Sequence, residues 1–274
     1  MTNDAPTPEP RPNGKPQRAA GSIGGGARSD RDVQELMGRL GPALLLITGA
    51  MAAYAWLEFA LRWQELGTLP GSDVRFYLEA TQRWLNGGGF YEAHELAGPF
   101  ILSPLEVLYP PTTILLYIPF LYLPLVLWWL IPLAVTAWVV VSYRPTAFAW
   151  GVIMLALWVP NTIALVIAGN PVIWALMAVA LAVRYHWPGA FLVLKPTVAP
   201  LALLWIRHRS WWIALGGIVV VSLLFLPMWF DYLKVLTNAQ DPRVGSILHS
   251  IGDVPMLLIP IVAYCGRGSK GLAR

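Results

Sequence analysis

Residues 42–61 read PALLLITGAMAAYAWLEFAL, an apolar run whose single charge, Glu58, stands near its far end. A helix rising ~1.5 Å per residue needs about this length to cross the hydrocarbon core of a bilayer. An unbroken apolar run, rather than an alternating one, selects a helix over a strand. Lipid offers the backbone no water, so a spanning segment must satisfy its own amides. Glu58 falls in the interface, and Arg62 and Trp63 follow as interfacial anchors.

The whole chain repeats this character. Of its 274 residues, 57% are hydrophobic and 12% charged, against roughly 25% charged in a soluble domain. Mean hydropathy is +0.57 and there are 14 tryptophans. These values describe a polytopic membrane protein, all-α, rather than a soluble core. The net charge of +4 does not indicate a nucleic-acid partner. The basic residues stand at the ends of apolar segments, where Lys and Arg mark the cytoplasmic side. One cysteine, Cys265, excludes an internal disulfide and a cysteine-based metal site.

Read in order, residues 1–35 are polar and rich in Pro, Gly, Arg and Ser, which predicts a disordered cytoplasmic tail and not a signal peptide. Residues 36–268 form the membrane domain, and 269–274 a cytoplasmic C-terminal tail. After the first span, 62–110 form an extracytoplasmic loop. It holds GSDVRFYLEATQRWLNGGGFYE, Gly71 to Glu92, with a helix expected from about Asp73 to Asn86. Phe76, Tyr77, Ala80 and Trp84 share one face of it, which suits a helix lying on a bilayer surface. Arg75, Glu79 and Arg83 are spaced for ion pairs on another face. Apolar segments follow at about 111–122, 124–142 and 146–160. A loop around Asn161–Asn170 leads to a span ending near Val183. The piece from Pro188 to Ile206 carries Lys195–Pro196 at its centre. A hairpin with Lys195 at the tip returns Arg184 and Arg207 to one side, as the positive-inside rule favours. A span at about 212–228, a polar loop at 230–250 and an apolar segment at about 252–264 complete seven to nine membrane segments, with both termini cytoplasmic.

Few residues suit chemistry. Asp73 reads first as a helix N-cap and second as a general base kept ionised by the helix dipole. Lys195 is an ammonium inside an apolar segment. It either marks a polar cavity or phosphate site or snorkels to the interface. Arg75 and Arg83 could reach a phosphate, or form an exposed ion-pair stripe with Glu79. Trp84 could stack on a sugar ring. Asn161 and Asn170 could hydrogen-bond a sugar or simply make a turn. His94 and Glu95 read as solvated loop residues. No glycine-rich phosphate loop, zinc motif or Ser–His–Asp arrangement is present.

Several of these features recur together in one order: Asp73 and Tyr77, the Gly87–Gly89 turn ending at Tyr91, Tyr109–Pro111, Gly169–Pro171, Lys195–Pro196, and the basic stretch Arg207–Trp211. The set resembles glycosyltransferase family 87, the polyprenol-phosphate-mannose-dependent α-mannosyltransferases of the GT-C superfamily, over roughly residues 40–230. The chain departs from the family in having Asn170 where Gln is usual after the glycine, and in being shorter than typical members. The resemblance implies a GT-C-like bundle in the plasma membrane with a catalytic carboxylate, Asp73, in the first outer loop. It implies transfer of a hexose, mannose in that family, from a polyprenyl-phosphate donor to an extracytoplasmic lipid or glycan acceptor. Lys195, Arg75, Tyr77, Trp84 and Asn170 are the candidate substrate-binding residues. No cofactor is indicated and a divalent metal is left open. A polyprenyl phosphate leaves as a stable anion, so one base suffices where glycosidases need two carboxylates. The alternative is a non-catalytic lipid-binding or transport component, or a degenerate relative.

Overall fold

The computed structural model describes residues 24–62, 65, 69–102, 106–240 and 251–268. One compact unit comprises residues 1–37, of which 24–37 are described, and a second comprises 38–274. The regular structure described is all helical: α1 (Gly24–Arg62), α2 (Ser72–Leu85), α3 (Ala93–Ala97), α4 (Ile114–Tyr117), α5 (Leu127–Ser142), α6 (Ala147–Trp158), α7 (Pro160–Ala168), α8 (Val172–Tyr185), α9 (Arg209–Ser222), α10 (Leu226–Asn238), α11 (Val254–Leu257) and α12 (Ile259–Cys265). Two 3₁₀ segments, Trp187–Leu194 and Pro196–Trp205, connect α8 to α9, and shorter ones flank α4.

Two stretches are long and apolar enough to cross a membrane, Val33–Arg62 and Arg209–Asn238, and a third if the bent pair α6–α7 is one span. The helix of the first begins earlier than expected. Residues 24–35, read as part of a disordered tail, are helical. The stretch SDRDVQELMGRL carries good helix formers, and adding residues to an existing helix is far easier than nucleating one. Residues 1–23, Trp63 and residues 241–250 lie outside the described residues; the first part of the polar loop expected at 230–250 is instead helical, as α10 runs on to Asn238. The expected loop after Asn161 is also largely helix, α7, bent by 67° from α6. Pro160 supplies no N–H to continue α6 and opens the new helix at its first turn.

α6 runs beside α1 because small residues let the backbones approach. A Cβ at Gly41 would stand 2.9 Å from the Phe148 nitrogen, and one at Gly151 would stand 2.7 Å from Leu44 Cγ. Trp56 Nε1 donates to the Leu157 carbonyl at 3.0 Å.

The 188–206 piece is a hairpin. Its two 3₁₀ arms meet at Lys195, and their far ends come together, with the rings of His186 and His208 stacked at 3.6 Å and 3°. Pro196 blocks a continuous helix through the tip by lacking an N–H. Close approach of the arms requires Gly189, where a Cβ would lie 2.6 Å from the Trp205 ring.

The polar loop that holds α2 and α3 departs from expectation twice. Arg83 does not join a stripe with Glu79. It donates to the Glu92 carboxylate, to the Gly89 carbonyl at 2.7 Å and to the Phe90 carbonyl at 3.0 Å, closing the triple-glycine turn. Three acceptors outweigh an exposed i,i+4 pair worth roughly 0.3–0.5 kcal/mol. Glu95, expected to be solvated, is fully buried. Its carboxyl accepts from the Glu92 N–H at 2.5 Å and the Val107 N–H at 2.8 Å, pinning α3 to the strand-like segment beyond it. His94 is exposed and meets Glu106 at 3.2 Å.

Burial, and then the neighbouring Glu106 carboxyl, push Glu95 up to about 7 from an ordinary 4.5. A raised carboxyl pKa means stability fully present below the ordinary value and lost as pH rises through about 7. Wild type is therefore expected to lose on the order of 1–3 kcal/mol of stability between about pH 5 and pH 8. Glu95→Ala should remove most of that pH dependence in thermal unfolding in detergent; an unchanged pH dependence refutes the assignment. Separately, Gly189→Leu forces the hairpin arms apart and should cost about 1–3 kcal/mol. An unchanged melting temperature would show that the arms are not packed as described.

Candidate functional site

The site is assembled where the start of α2 meets the turn between α7 and α8. Gly71 enters α2 in the left-handed conformation, φ 76°, and its N–H donates to the Ile167 carbonyl at 2.8 Å. Asp73 lies in the first turn but caps no backbone amide, which corrects the N-cap expectation. Its carboxylate is turned sideways instead. Asn170 Nδ2 donates to Oδ2 at 2.7 Å, and Ser72 Oγ donates to Oδ1 at 3.3 Å. Burial raises the Asp73 pKa above the ordinary range, while the hydrogen bonds from Asn170 and Ser72 and the positive charge of Lys195 hold it down.

Asn170 serves both roles considered for it. Its Oδ1 accepts from the Val172 N–H at 3.0 Å, ordering the first turn of α8, while its Nδ2 reaches Asp73. The turn itself is clamped from α5: Trp128 Nε1 donates to the Gly169 carbonyl at 2.8 Å and Trp129 Nε1 to the Val166 carbonyl at 2.6 Å. Gly169 has φ 70°, and a Cβ there would stand 2.8 Å from the Trp129 ring and 2.9 Å from Val74 Cγ1. Only glycine satisfies both constraints.

Lys195 does not snorkel. At the hairpin tip its Nζ donates to the Tyr109 hydroxyl at 3.0 Å and pairs with the Asp253 carboxylate at 3.3 Å, with the side chain 13% exposed. Asp253, just before α11, is the residue that sequence reasoning missed. The signal was present in one form: a buried ammonium demands a counter-charge, and Asp253 opens the last apolar segment. Tyr109, noted only as part of a Tyr-Pro-Pro motif, is a second missed member.

The structure brings Asp73, Asn170, Lys195 and Tyr77 into one neighbourhood. Tyr77 is buried, edge-on to Tyr109 at 5.2 Å and stacked on Tyr117 at 5.2 Å. Two predicted residues stand apart. Arg75 is exposed, because α2 turns its Val74 and Tyr77 face inward. Trp84, near the other end of α2, packs 6.0 Å from the Phe225 ring. Asn161 lies against Gly252, not beside Asn170.

Next to this cluster is a cavity of about 660 Å³ between α4, α8, the hairpin and α9. Its walls are largely aliphatic and aromatic. Lys195, Tyr109, Thr112, Thr113, Tyr117 and Trp174 supply the polar groups, whereas Asp73 and Asn170 are not part of the wall. Trp174 Nε1 is buried without a hydrogen-bond partner among the described residues. Buried donors are ordinarily paired, so it is open to a ligand oxygen. The arrangement can hold an amphiphile, with an anionic group at Lys195 and a carboxylate nearby able to accept a proton. Among the described residues, no three His, Cys, Asp or Glu side chains cluster closely enough to hold a metal ion. Comparison with protein-family models, curated proteins and solved structures finds no match to this chain.

The Lys195–Asp253 pair can be tested directly. Lys195→Met leaves a buried carboxylate unpaired and should cost about 3–5 kcal/mol. Lys195→Met combined with Asp253→Leu should recover much of that loss in thermal unfolding. Additive losses would show that the two side chains are not coupled.

Proposed function

We propose that this protein is an integral-membrane glycosyltransferase that moves a hexose from a polyprenyl phosphate to an extracytoplasmic lipid or glycan hydroxyl. The observation that carries this reading is the placement of Asp73, hydrogen-bonded by Asn170, within the electrostatic reach of Lys195, which lines an apolar cavity. The cavity suits the isoprenoid chain of such a donor. Lys195, with Tyr109, Tyr117 and Trp174, suits its phosphate.

In this mechanism the acceptor oxygen attacks the anomeric carbon as its proton passes to Asp73. The bond from that carbon to the phosphate oxygen breaks, and its electron pair leaves on the phosphate. Lys195 stabilises the charge that develops there. No enzyme nucleophile intervenes, so one displacement inverts the anomeric configuration. Tyr77 supports Asp73 from within α2, one turn away. The sugar is a hexose, mannose by the family resemblance.

The topology that accompanies this reading has seven to nine membrane segments. The short apolar helices Pro111–Leu121, Leu127–Ser142, Val172–Tyr185 and Pro196–Trp205 support it. Asp73 then faces the outside of the plasma membrane and both termini the cytoplasm. A second reading, a non-catalytic lipid-binding protein, is favoured by one observation: Asp73 lies outside the cavity wall.

Asp73→Asn separates the two. The enzyme reading expects sugar transfer from polyprenyl-phosphate mannose in membrane preparations to fall by about 10²–10⁴-fold, with expression and melting temperature retained. Asn170→Ala removes a hydrogen bond that lowers the Asp73 pKa, so the acid limb of the kcat profile should move to higher pH. Unaltered transfer in Asp73→Asn would remove Asp73 from the mechanism. Absence of transfer by wild type from any polyprenyl-phosphate sugar would favour the lipid-binding reading.

A further inference from the structure

One end of the bundle gathers cations from separate parts of the chain. Arg144 follows α5, Arg184 lies in the last turn of α8, Arg207 and Arg209 flank the start of α9, and Arg267 follows α12. Their convergence is recorded by the groups between them. Arg184 and Arg267 both act electrostatically on Tyr143. Arg267 lies 4.1 Å from the Tyr264 ring, which is 5.3 Å from the Tyr143 ring. Pro145 and Arg267 form a backbone bridge. On the hairpin side, His186, two residues after Arg184, stacks on His208, which stands between Arg207 and Arg209 in the chain, and His186 is held at φ 65°. Burial, and then His208, hold His186 below the ordinary imidazole value.

The sequence contains no Asp or Glu between Glu106 and Asp231. Among the described residues none of the five arginines makes an ion pair within 4.0 Å. Arg184 is met by aromatic faces instead, 5.0 Å from Trp138 and 5.6 Å from Tyr185. Lys195, the remaining cation of this acid-free stretch, takes its partner from Asp253. Among the described residues, the arginines are left without a countercharge.

The surroundings of the cluster indicate what kind of anion. Tyr185, Trp187 and Trp212 are exposed beside it, the residue types that sit at headgroup level. Beyond them the surface is bare and aliphatic, with Ile213 68% and Leu204 60% exposed. A free phosphate would use only the guanidiniums. A molecule with a phosphate and apolar chains uses both.

We propose that Arg207 and Arg209, with Arg184 and the His186–His208 stack, form a binding site for the phosphate headgroup of an anionic membrane lipid. The acyl chains lie along the exposed aliphatic faces of α9 and the second hairpin arm. The guanidiniums supply charge-assisted hydrogen bonds to the phosphate oxygens, and the stacked imidazoles supply a flat wall beside it. This site lies at the base of the hairpin, whereas Lys195 stands at its tip, and it does not depend on any sugar chemistry.

The test uses the full-length protein in mild detergent, titrated with phosphatidylglycerol and with phosphatidylcholine of the same chains and read by native mass spectrometry. Saturable binding of phosphatidylglycerol is expected, with phosphatidylcholine at least about tenfold weaker. Arg207→Gln with Arg209→Gln should weaken phosphatidylglycerol by about 30-fold, the loss expected for two cations at a lipid surface. Equal binding of the two lipids, or undiminished binding by the double variant, overturns the proposal. Competition by inorganic phosphate as strong as that by the lipid would overturn the lipid assignment. If the double variant does not fold, wild type decides the matter by salt: binding lost at high ionic strength supports the headgroup contact, and binding that persists unchanged overturns it.

Discussion

The site depends on the tight turn at Gly169. That residue must be left-handed, must leave room for Trp129 and Val74, and must present its carbonyl to Trp128. Once these conditions hold, Asn170 projects its amide to Asp73 while its oxygen orders α8. The N–H of Gly71 closes the same junction from α2. Four helices, α2, α5, α7 and α8, thus converge on a few backbone groups. The geometry around Asp73 is set by side chains that are themselves anchored on main-chain groups of this junction, so the supporting residues are held in place. This is why a carboxylate near the surface of a lipid-facing protein can be kept half-buried and fixed in direction.

The second constraint is the ammonium at the hairpin tip. An unpaired charge in an apolar environment costs several kcal/mol. Lys195 is accommodated because Asp253 and Tyr109, from distant parts of the chain, meet it. The last short helices therefore do more than end the bundle: they deliver the counter-ion. The same pair keeps Lys195 beside the cavity while reducing its free charge there. A phosphate arriving in the cavity would compete with Asp253 for the ammonium.

Charge is distributed unevenly along the bundle. Carboxylates and their partners gather in the loop that contains α2 and α3 and at Asp253. Arginines without acids gather at the other ends of α5, α8 and α12 and at the start of α9. A membrane protein with this distribution is oriented by it. The hairpin links the two ends, with its tip in the acidic neighbourhood and its base, at His186 and His208, in the basic one.

Composition and unbroken apolar runs determined that the chain is helical and suited to a membrane, because period and length survive in sequence without tertiary information. The hairpin at Lys195 was legible for a similar reason: a proline beside a central lysine, with arginines at both ends, admits few arrangements. The α2 boundaries were legible from Gly71 and the glycine triplet. What sequence could not determine was which polar atoms meet. Asp73 was a plausible cap by local rules, but its carboxylate is claimed by Asn170, 97 positions away. Arg83 had a local partner in Glu79, yet Glu92 and two carbonyls outcompete it. Glu95 read as solvated until folding placed the Val107 amide against it. Asp253 carried no motif at all. Local pattern fixes where backbone goes. Burial decides which side chains must find partners, and only the packed chain decides which partners are within reach.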